Sequence, residues 1–416
     1  MYFSEISASL YPWDLADEGV EVILDNLEEL TGCNSVYLIA VMHHEKRPLT
    51  DFYYPHNPVR KTYYPEDSRA YFRPHESFYG RIKPLTSERD FLGKADWMQT
   101  LISAARKRGM KTGVELSHTI VDAERLKGEL SDCIQRNIYR EPTGWPVVCL
   151  NNPEVKAYMS GLCADLITNY DLDYVQTCLI PFIAGRRHTH PAVRLLGVTL
   201  GGCFCSSCEQ AANQDGYDFA AIRKALQRIA DGFTCPSLQQ SHELELLEAS
   251  NITETEILMD HPELQQWLIF RRNSVTRFFK EVYDRAHDVK PTIDMRLNAY
   301  ISANQELSGL SLRQLKNCFD SVRSSDYSEQ TGNPEQMSNK RKWLRAVRYA
   351  IGDEMHFVSA IGVRPKATPD LIRQGVAISA ECGADGLTIG HYDGASFSNL
   401  RAIREGMDLA DIEMVE

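Results

Sequence analysis

Eight short apolar runs, separated by stretches of helical spacing, restrict this chain more than any other feature of its sequence. They span 35–43, 111–119, 147–151, 174–180, 292–300, 321–327, 356–363 and 386–391. Strand-length runs alternating with helices are the sequence form of a parallel sheet. Eight such units predict a single closed (β/α)8 barrel of the TIM type. Helix start signals support the alternation. Asn152 stands as a cap before Pro153 and Glu154, and Thr368-Pro369-Asp370 repeats the pattern. Gly109 follows the helical stretch 97–108 as a stop. At 416 residues the chain exceeds a minimal barrel. Two long connections, about 44–94 and 181–255, absorb the excess as insertions after the first and fourth strands. One domain over 1–416 is expected, with both insertions folded onto the face formed by the strand C-termini.

Composition excludes several roles. With 43% hydrophobic and 25% charged residues, the chain has material for one large core. A net charge of -12 and no Lys/Arg-rich run argue against nucleic acid or an anionic membrane as partner. No stretch approaches the roughly 18 apolar residues of a membrane span. The N-terminal residues lack the basic and apolar segments of a signal peptide. Eleven cysteines, mostly isolated in apolar surroundings, read as reduced thiols. A cytoplasmic protein is expected.

Three of those thiols, Cys203, Cys205 and Cys208, fall within six residues just beyond the fourth run. Thiolates this close suit a soft metal, most simply a structural zinc that staples the insertion. A closed site needs a fourth ligand. Cys235 in the same insertion is the simplest candidate, with Cys149, Cys178 or His188 as substitutes. The segment Gly202-Cys-Phe-Cys-Ser-Ser-Cys-Glu resembles the Cys-x-Cys-x-x-Cys element of glycoside hydrolase family 42, the zinc-bearing β-galactosidases. The segments beginning at Ala104, Cys149 and Tyr170 are similar to clan-A sugar hydrolases, so the resemblance spans roughly 20–400. It implies a barrel enzyme acting on carbohydrate. Clan-A enzymes place a Glu acid at the end of strand four and a Glu nucleophile at the end of strand seven. Here those ends read Gln176-Thr177-Cys178 and Ile361-Gly362-Val363-Arg364, without a carboxylate. The usual pair does not carry over.

Other polar residues at run C-termini are therefore the candidates. The expected catalytic carboxylates are Glu115, Asp326 and Asp393. Glycosidic hydrolysis needs one protonated carboxyl and one carboxylate or base. Expected substrate-binding residues are His43, His44, His118, Gln176, Arg296, Asn298, Tyr327, His391 and Tyr392. Asp294, Arg296 and Asn298 share one strand face, where Asp294 suits pairing with Arg296 as well as it suits catalysis. The first insertion holds Phe52, Tyr53, Tyr54, Tyr63, Tyr64, Tyr71, Phe72, Phe78 and Tyr79. Such rings suit sugar faces, and equally a mini-core or the subunit interface of a homo-oligomer. Two other readings fit the same residues. One is a metal-dependent sugar isomerase, epimerase or lyase using His43, His118, Asp326 and His391 around a divalent ion. The other is a non-catalytic carbohydrate-binding barrel.

Overall fold

A computed structural model describes residues 3–42, 53–63, 69–87, 90–93, 95–117, 123–144, 147–178, 181–185, 189–234, 251–299 and 306–413. Eight parallel strands close into a barrel: β1 (Glu5–Leu10), β2 (Ser35–Met42), β3 (Lys111–Ser117), β4 (Tyr174–Cys178), β5 (Asp294–Ala299), β6 (Ser321–Ser324), β7 (His356–Gly362) and β8 (Gly386–Gly390). Closure runs through β1, which pairs with β2 at Ser7↔Ser35 and with β8 at Ala8↔Ile389. Arg69–Ala70 from the first insertion adds a short antiparallel pairing to the end of β2.

Two strand assignments change. The segment Glu5–Leu10, not expected as a strand, is β1, and it is wholly buried. Its Ser7 and Ser9 interrupt the apolar signal that a buried strand normally gives. The run 147–151 is not a barrel strand. It folds back on the chain just before it, with Cys149 N–H donating to Cys133 O at 2.7 Å and Gln135 N–H to Val147 O at 2.8 Å. Its apolar character reflects burial against this hairpin-like partner. The two changes offset each other, so runs four to eight keep their order. Glu115 moves to the third strand, and the residues after Met42 follow the second.

Helices surround the barrel in alternation, among them Val20–Thr31, Trp97–Lys107, Pro153–Asn169, Pro262–Val289, Gln336–Ile351, Pro369–Glu381 and Phe397–Glu413. Asn152 and Thr368 cap their helices as expected, through Glu154 N–H and Leu371 N–H. None of these helices is long and apolar enough to cross a membrane, among the described residues.

The bottom of the barrel is closed by charge. Arg296 donates to Glu5 at 2.7 and 3.1 Å, to Asp294 at 2.8 Å and to Ser321 Oγ at 3.0 Å. Its guanidinium lies 4.3 Å from the Tyr174 ring centre, and Tyr174 OH bonds Ser35 Oγ at 3.0 Å. His356 stands 3.4 Å from Glu5. Glu5, Ser35, Tyr174, Asp294, Ser321 and His356 each open their strand. Arg296, expected at the rim, therefore lies at the opposite end. Its strand position faces inward, but inward at the N-terminal layer means plug, not mouth.

Candidate active site and metal centre

The C-terminal ends of β3 to β6 carry a connected polar chain. Gln176 Nε2 donates to Glu115 Oε2, and Arg323 Nη1 stands 3.9 Å from that oxygen. Arg323 also donates to the Tyr327 hydroxyl and, at 3.2 Å, to Ser325 Oγ, whose own hydroxyl donates to Asn298. Tyr327 folds over the end of β8. A Cβ on Gly390 would collide with its ring, so only glycine admits this packing. The Tyr327 ring centre is 5.9 Å from that of His391.

The seam between β1 and β8 holds a second group. Tyr11 follows β1 and His391 follows β8. The Tyr11 hydroxyl bonds His391 Nδ1 at 3.0 Å, and the rings lie parallel, centres 5.8 Å apart. His391 has φ 69°, a left-handed conformation that costs a non-glycine residue energy and clusters at functional sites. Tyr11 N–H donates to Asp14 Oδ2 at 2.8 Å. Asp14 and Asp393 are both buried, and Oδ1 of each lacks a hydrogen-bond partner. Burial raises both carboxyls above the ordinary range. Asp393 raises Asp14 further, while Arg364 and the Gly394 amide temper the rise at Asp393. Tyr11 is likewise raised by burial, then by Asp393 and Glu115.

Other expected residues have their partners outside these two groups. Asp326 Oδ1 accepts from Ser328 N–H at 2.8 Å and faces the buried Lys340 ammonium at 3.7 Å. Lys340 pairs more closely with Glu329, at 2.8 Å. Asp326 thus braces the loop after β6. Tyr392 turns away from the mouth: its hydroxyl donates to Glu18 at 3.1 Å and accepts from Asn26 at 3.1 Å. His43, His44, His118, His188 and Cys235 lie outside the described residues, as does the side chain of Cys178. In the first insertion, Tyr54 and Tyr71 pack with Tyr11 and Trp13 as a satellite core, while Tyr53 is exposed. Phe52 and Tyr64 lie outside the described residues. The structure thus gathers Glu115, Gln176, Asn298, Tyr327, His391 and Asp393 at one end. It adds Tyr11, Asp14, Arg323 and Arg364, which sequence reasoning missed. Tyr11 and Asp14 gave a signal only once β1 was recognised as a strand.

Beside the barrel, four cysteine sulfurs converge. Cys149, Cys203, Cys205 and Cys208 are buried, and their Sγ atoms all lie within 4.8 Å of one another. Cys149 stands 3.5 Å from Cys208 and 3.4 Å from Cys205. Tetrahedral zinc–thiolate bonding asks for S–S separations of about 3.8 Å. The donor set therefore fits a closed four-thiolate metal site, and Cys149, rather than Cys235, supplies the fourth sulfur. Arg136 N–H and Asn151 Nδ2 donate to Cys203 and Cys208, each at 3.3 Å. Such N–H···S contacts suit sulfur carrying negative charge. Buried Arg271 adds a cation nearby: Cys203 and Cys208 favour its charged form, although burial brings its pKa down to about 9. The hairpin-like segment 147–151, misread as a strand, is what delivers Cys149. Gly202 is needed where the loop passes Gln135, since a Cβ there would strike the Gln135 amide oxygen.

Comparison with known proteins agrees with this architecture. No protein-family model matches the chain, and no curated protein matches it. Solved structures do. An α-L-fucosidase isoenzyme 2 from Paenibacillus thiaminolyticus is similar with 14% identity and TM-score 0.56, over 100% of this chain and 50% of that one. A catalytic mutant of a GH42 β-galactosidase from G. stearothermophilus gives 12% identity and TM-score 0.55, over 100% of this chain and 57% of that one. The catalytic domain of a β-amylase from Paenibacillus polymyxa gives 9% identity and TM-score 0.51, over the whole of both chains. The chain therefore shares its barrel fold with these three structures. It spans about half the length of the fucosidase and of the β-galactosidase.

Proposed function

We propose that this protein is a glycoside hydrolase-like enzyme that cleaves a glycosidic bond with carboxylates at the barrel mouth. The observation that carries the reading is the pair of buried carboxyls, Glu115 on β3 and Asp393 just past β8, toward the strand C-termini of a barrel similar in fold to a fucosidase and a β-galactosidase. Asp393, buried and raised above the carboxylate range, supplies the proton to the leaving oxygen as the C–O bond breaks. Glu115 has partners for a carboxylate in Gln176 and Arg323, and serves either as the base that takes a proton from the attacking water or as the nucleophile that attacks the sugar carbon before water releases the product. Asn298, Gln176, Tyr327 and His391 bind sugar hydroxyls. Asp326 supports them through the loop it braces. The residues His43, His44 and His118 keep their proposed place as substrate contacts after β2 and β3.

The four thiols hold zinc in this reading, as a structural ion. Zinc would fix the second insertion against the barrel and supply no step of the hydrolysis. The nine described cysteines are all free and buried, which suits a reducing compartment such as the cytoplasm.

Hydrolysis of a panel of p-nitrophenyl glycosides tests the chemistry. One or more should be cleaved, with kcat lowered at least about 100-fold in Asp393→Asn and in Glu115→Gln. A panel left intact by the zinc-loaded protein, or single variants with wild-type kcat, would overturn the proposal.

A further inference from the structure

We propose that Tyr11 fixes the tautomer of His391: its hydroxyl donates to Nδ1, so that Nε2 carries the ring hydrogen. Tyr11 is then the positioning residue of a hydrogen-bond donor at the barrel mouth. Its catalytic meaning rests on the hydrolase reading above. The two residues come from opposite ends of the chain, Tyr11 directly after β1 and His391 directly after β8, and the pairing of those strands brings them together. The Tyr11 oxygen lies 3.0 Å from His391 Nδ1. Neither side is loose. The Tyr11 ring stacks on Trp13, centres 4.4 Å apart, and Trp13 is backed by Tyr63 and Tyr71 of the first insertion at 4.8 and 5.9 Å. Its backbone is pinned as well: the amide donates to Asp14 Oδ2 at 2.8 Å, and the carbonyl accepts from Asp14 N–H at 3.1 Å. His391 meets it from a left-handed backbone, φ 69°, a conformation that persists only where the surroundings over-determine it.

The hydrogen in that bond belongs to the phenol. Among the described residues, the imidazole is the one hydrogen-bond partner of the Tyr11 hydroxyl. Tyr11 is buried, at 4% exposure, so a hydrogen not given to Nδ1 would go unsatisfied. Burial, and then Asp393, raises the phenol well above its ordinary range, so the oxygen keeps a hydrogen to give. A neutral imidazole has one N–H and one acceptor nitrogen, and the bond made at one decides the other. Nδ1 accepting from Tyr11 therefore leaves the hydrogen on Nε2, on the other side of the half-buried ring. In this tautomer His391 binds a substrate oxygen that accepts: a ring oxygen, a glycosidic oxygen or the lone pair of a hydroxyl. It offers no bare nitrogen to a divalent ion, so His391 does not suit the metal-centred isomerase chemistry open to the sequence.

Long-range 1H–15N NMR spectra of protein labelled with 15N-histidine read the tautomer without substrate, because each protonation state of the ring gives its own pattern. Loss of signals in His391→Gln identifies those of His391. At about pH 8 the wild type should show Nε2 protonated and Nδ1 bare, with Nδ1 moved upfield by the hydrogen bond it accepts. Tyr11→Phe keeps the ring and removes the donor. Its Nδ1 should move, either downfield to the position of an unbonded nitrogen or toward the protonated one as the second tautomer appears. A wild-type ring protonated at Nδ1 would overturn the proposal, and so would a bare Nδ1 without the upfield shift. Neither result depends on Tyr11→Phe folding. An Nδ1 unmoved in folded Tyr11→Phe would overturn it too. On the glycoside panel, Tyr11→Phe should lower kcat/KM about 10-fold, the worth of roughly one hydrogen bond, and an unchanged value would refute the positioning role. If the ring behaves as expected while the glycoside panel stays intact, the tautomer stands and the hydrolase reading falls. If glycosides are cleaved while His391 carries its hydrogen on Nδ1, the reverse holds.

Discussion

At the scale of single residues, the described charged groups near the mouth divide by what they face. Glu115 is buried and faces the donors Gln176 and Arg323. Asp326 faces a lysine and a loop amide. Lys340 is the pivot of that second set: it has no exposed surface, pairs with Glu329 at 2.8 Å and also donates to Ala360 O at 2.7 Å. Buried pairs gain little over an apolar replacement of both partners, but removing one partner leaves an uncompensated charge. Lys340→Met should therefore cost about 3–5 kcal/mol in urea unfolding. Glu329 and Asp326 both lose their cation in that variant. A loss within about 0.5 kcal/mol, the range of an ordinary surface substitution, would show that the network does not brace the loop.

At the scale of elements, the metal site illustrates what the sequence could and could not reveal. Cys203, Cys205 and Cys208 were legible because ligand spacing is local. The fourth ligand was legible only as one of several candidates, because Cys149 arrives from a segment 54 residues earlier whose apolar run reads equally as strand or buried hairpin. The opposite error hid β1: Ser7 and Ser9 replace the branched residues that mark a buried strand, and its role is set by neighbours at both ends of the chain. With β1 went Tyr11 and Asp14, half of the seam. Runs with β-branched residues and a following helix cap, such as β7 before Thr368, were read correctly. The ligand assignment has a direct check. Cys149→Ser should lose bound metal and melt at lower temperature, while Cys235→Ser should keep both metal content and melting temperature. Chelation of the wild type should reproduce the Cys149→Ser melting temperature, since an ion that binds only the folded state stabilises it by mass action. Equal metal content in the two variants would refute the assignment.

At the scale of the whole molecule, the two ends of the barrel carry opposite pH dependences. At the bottom, burial alone would raise Glu5, but Arg296 and His356 overcome it and hold the carboxyl well below the carboxylate range. A group with a lowered folded pKa contributes stability above its unfolded value of about 4.3, and that contribution is lost as pH falls toward the folded value. At the mouth, Asp14 and Asp393 are raised, by burial first. Their folded state binds more protons than the unfolded chain, so their contribution is complete below about pH 3.9 and declines as pH rises through the folded values. The stability profile should thus have an acid limb owed largely to the plug and an alkaline limb owed largely to the seam. Glu5→Gln should cost about 3 kcal/mol or more at pH 7 and flatten the acid limb, because Arg296 loses its closest carboxylate. Asp14→Asn should leave the acid limb and flatten the alkaline one, so its melting temperature relative to wild type rises between about pH 4 and 8. The plug and the seam share no partner, so the double variant should show both changes in sum. Melting temperatures across that range for the four proteins decide it. A difference between Asp14→Asn and wild type that does not vary with pH would mean that Asp14 carries no raised proton in the folded barrel.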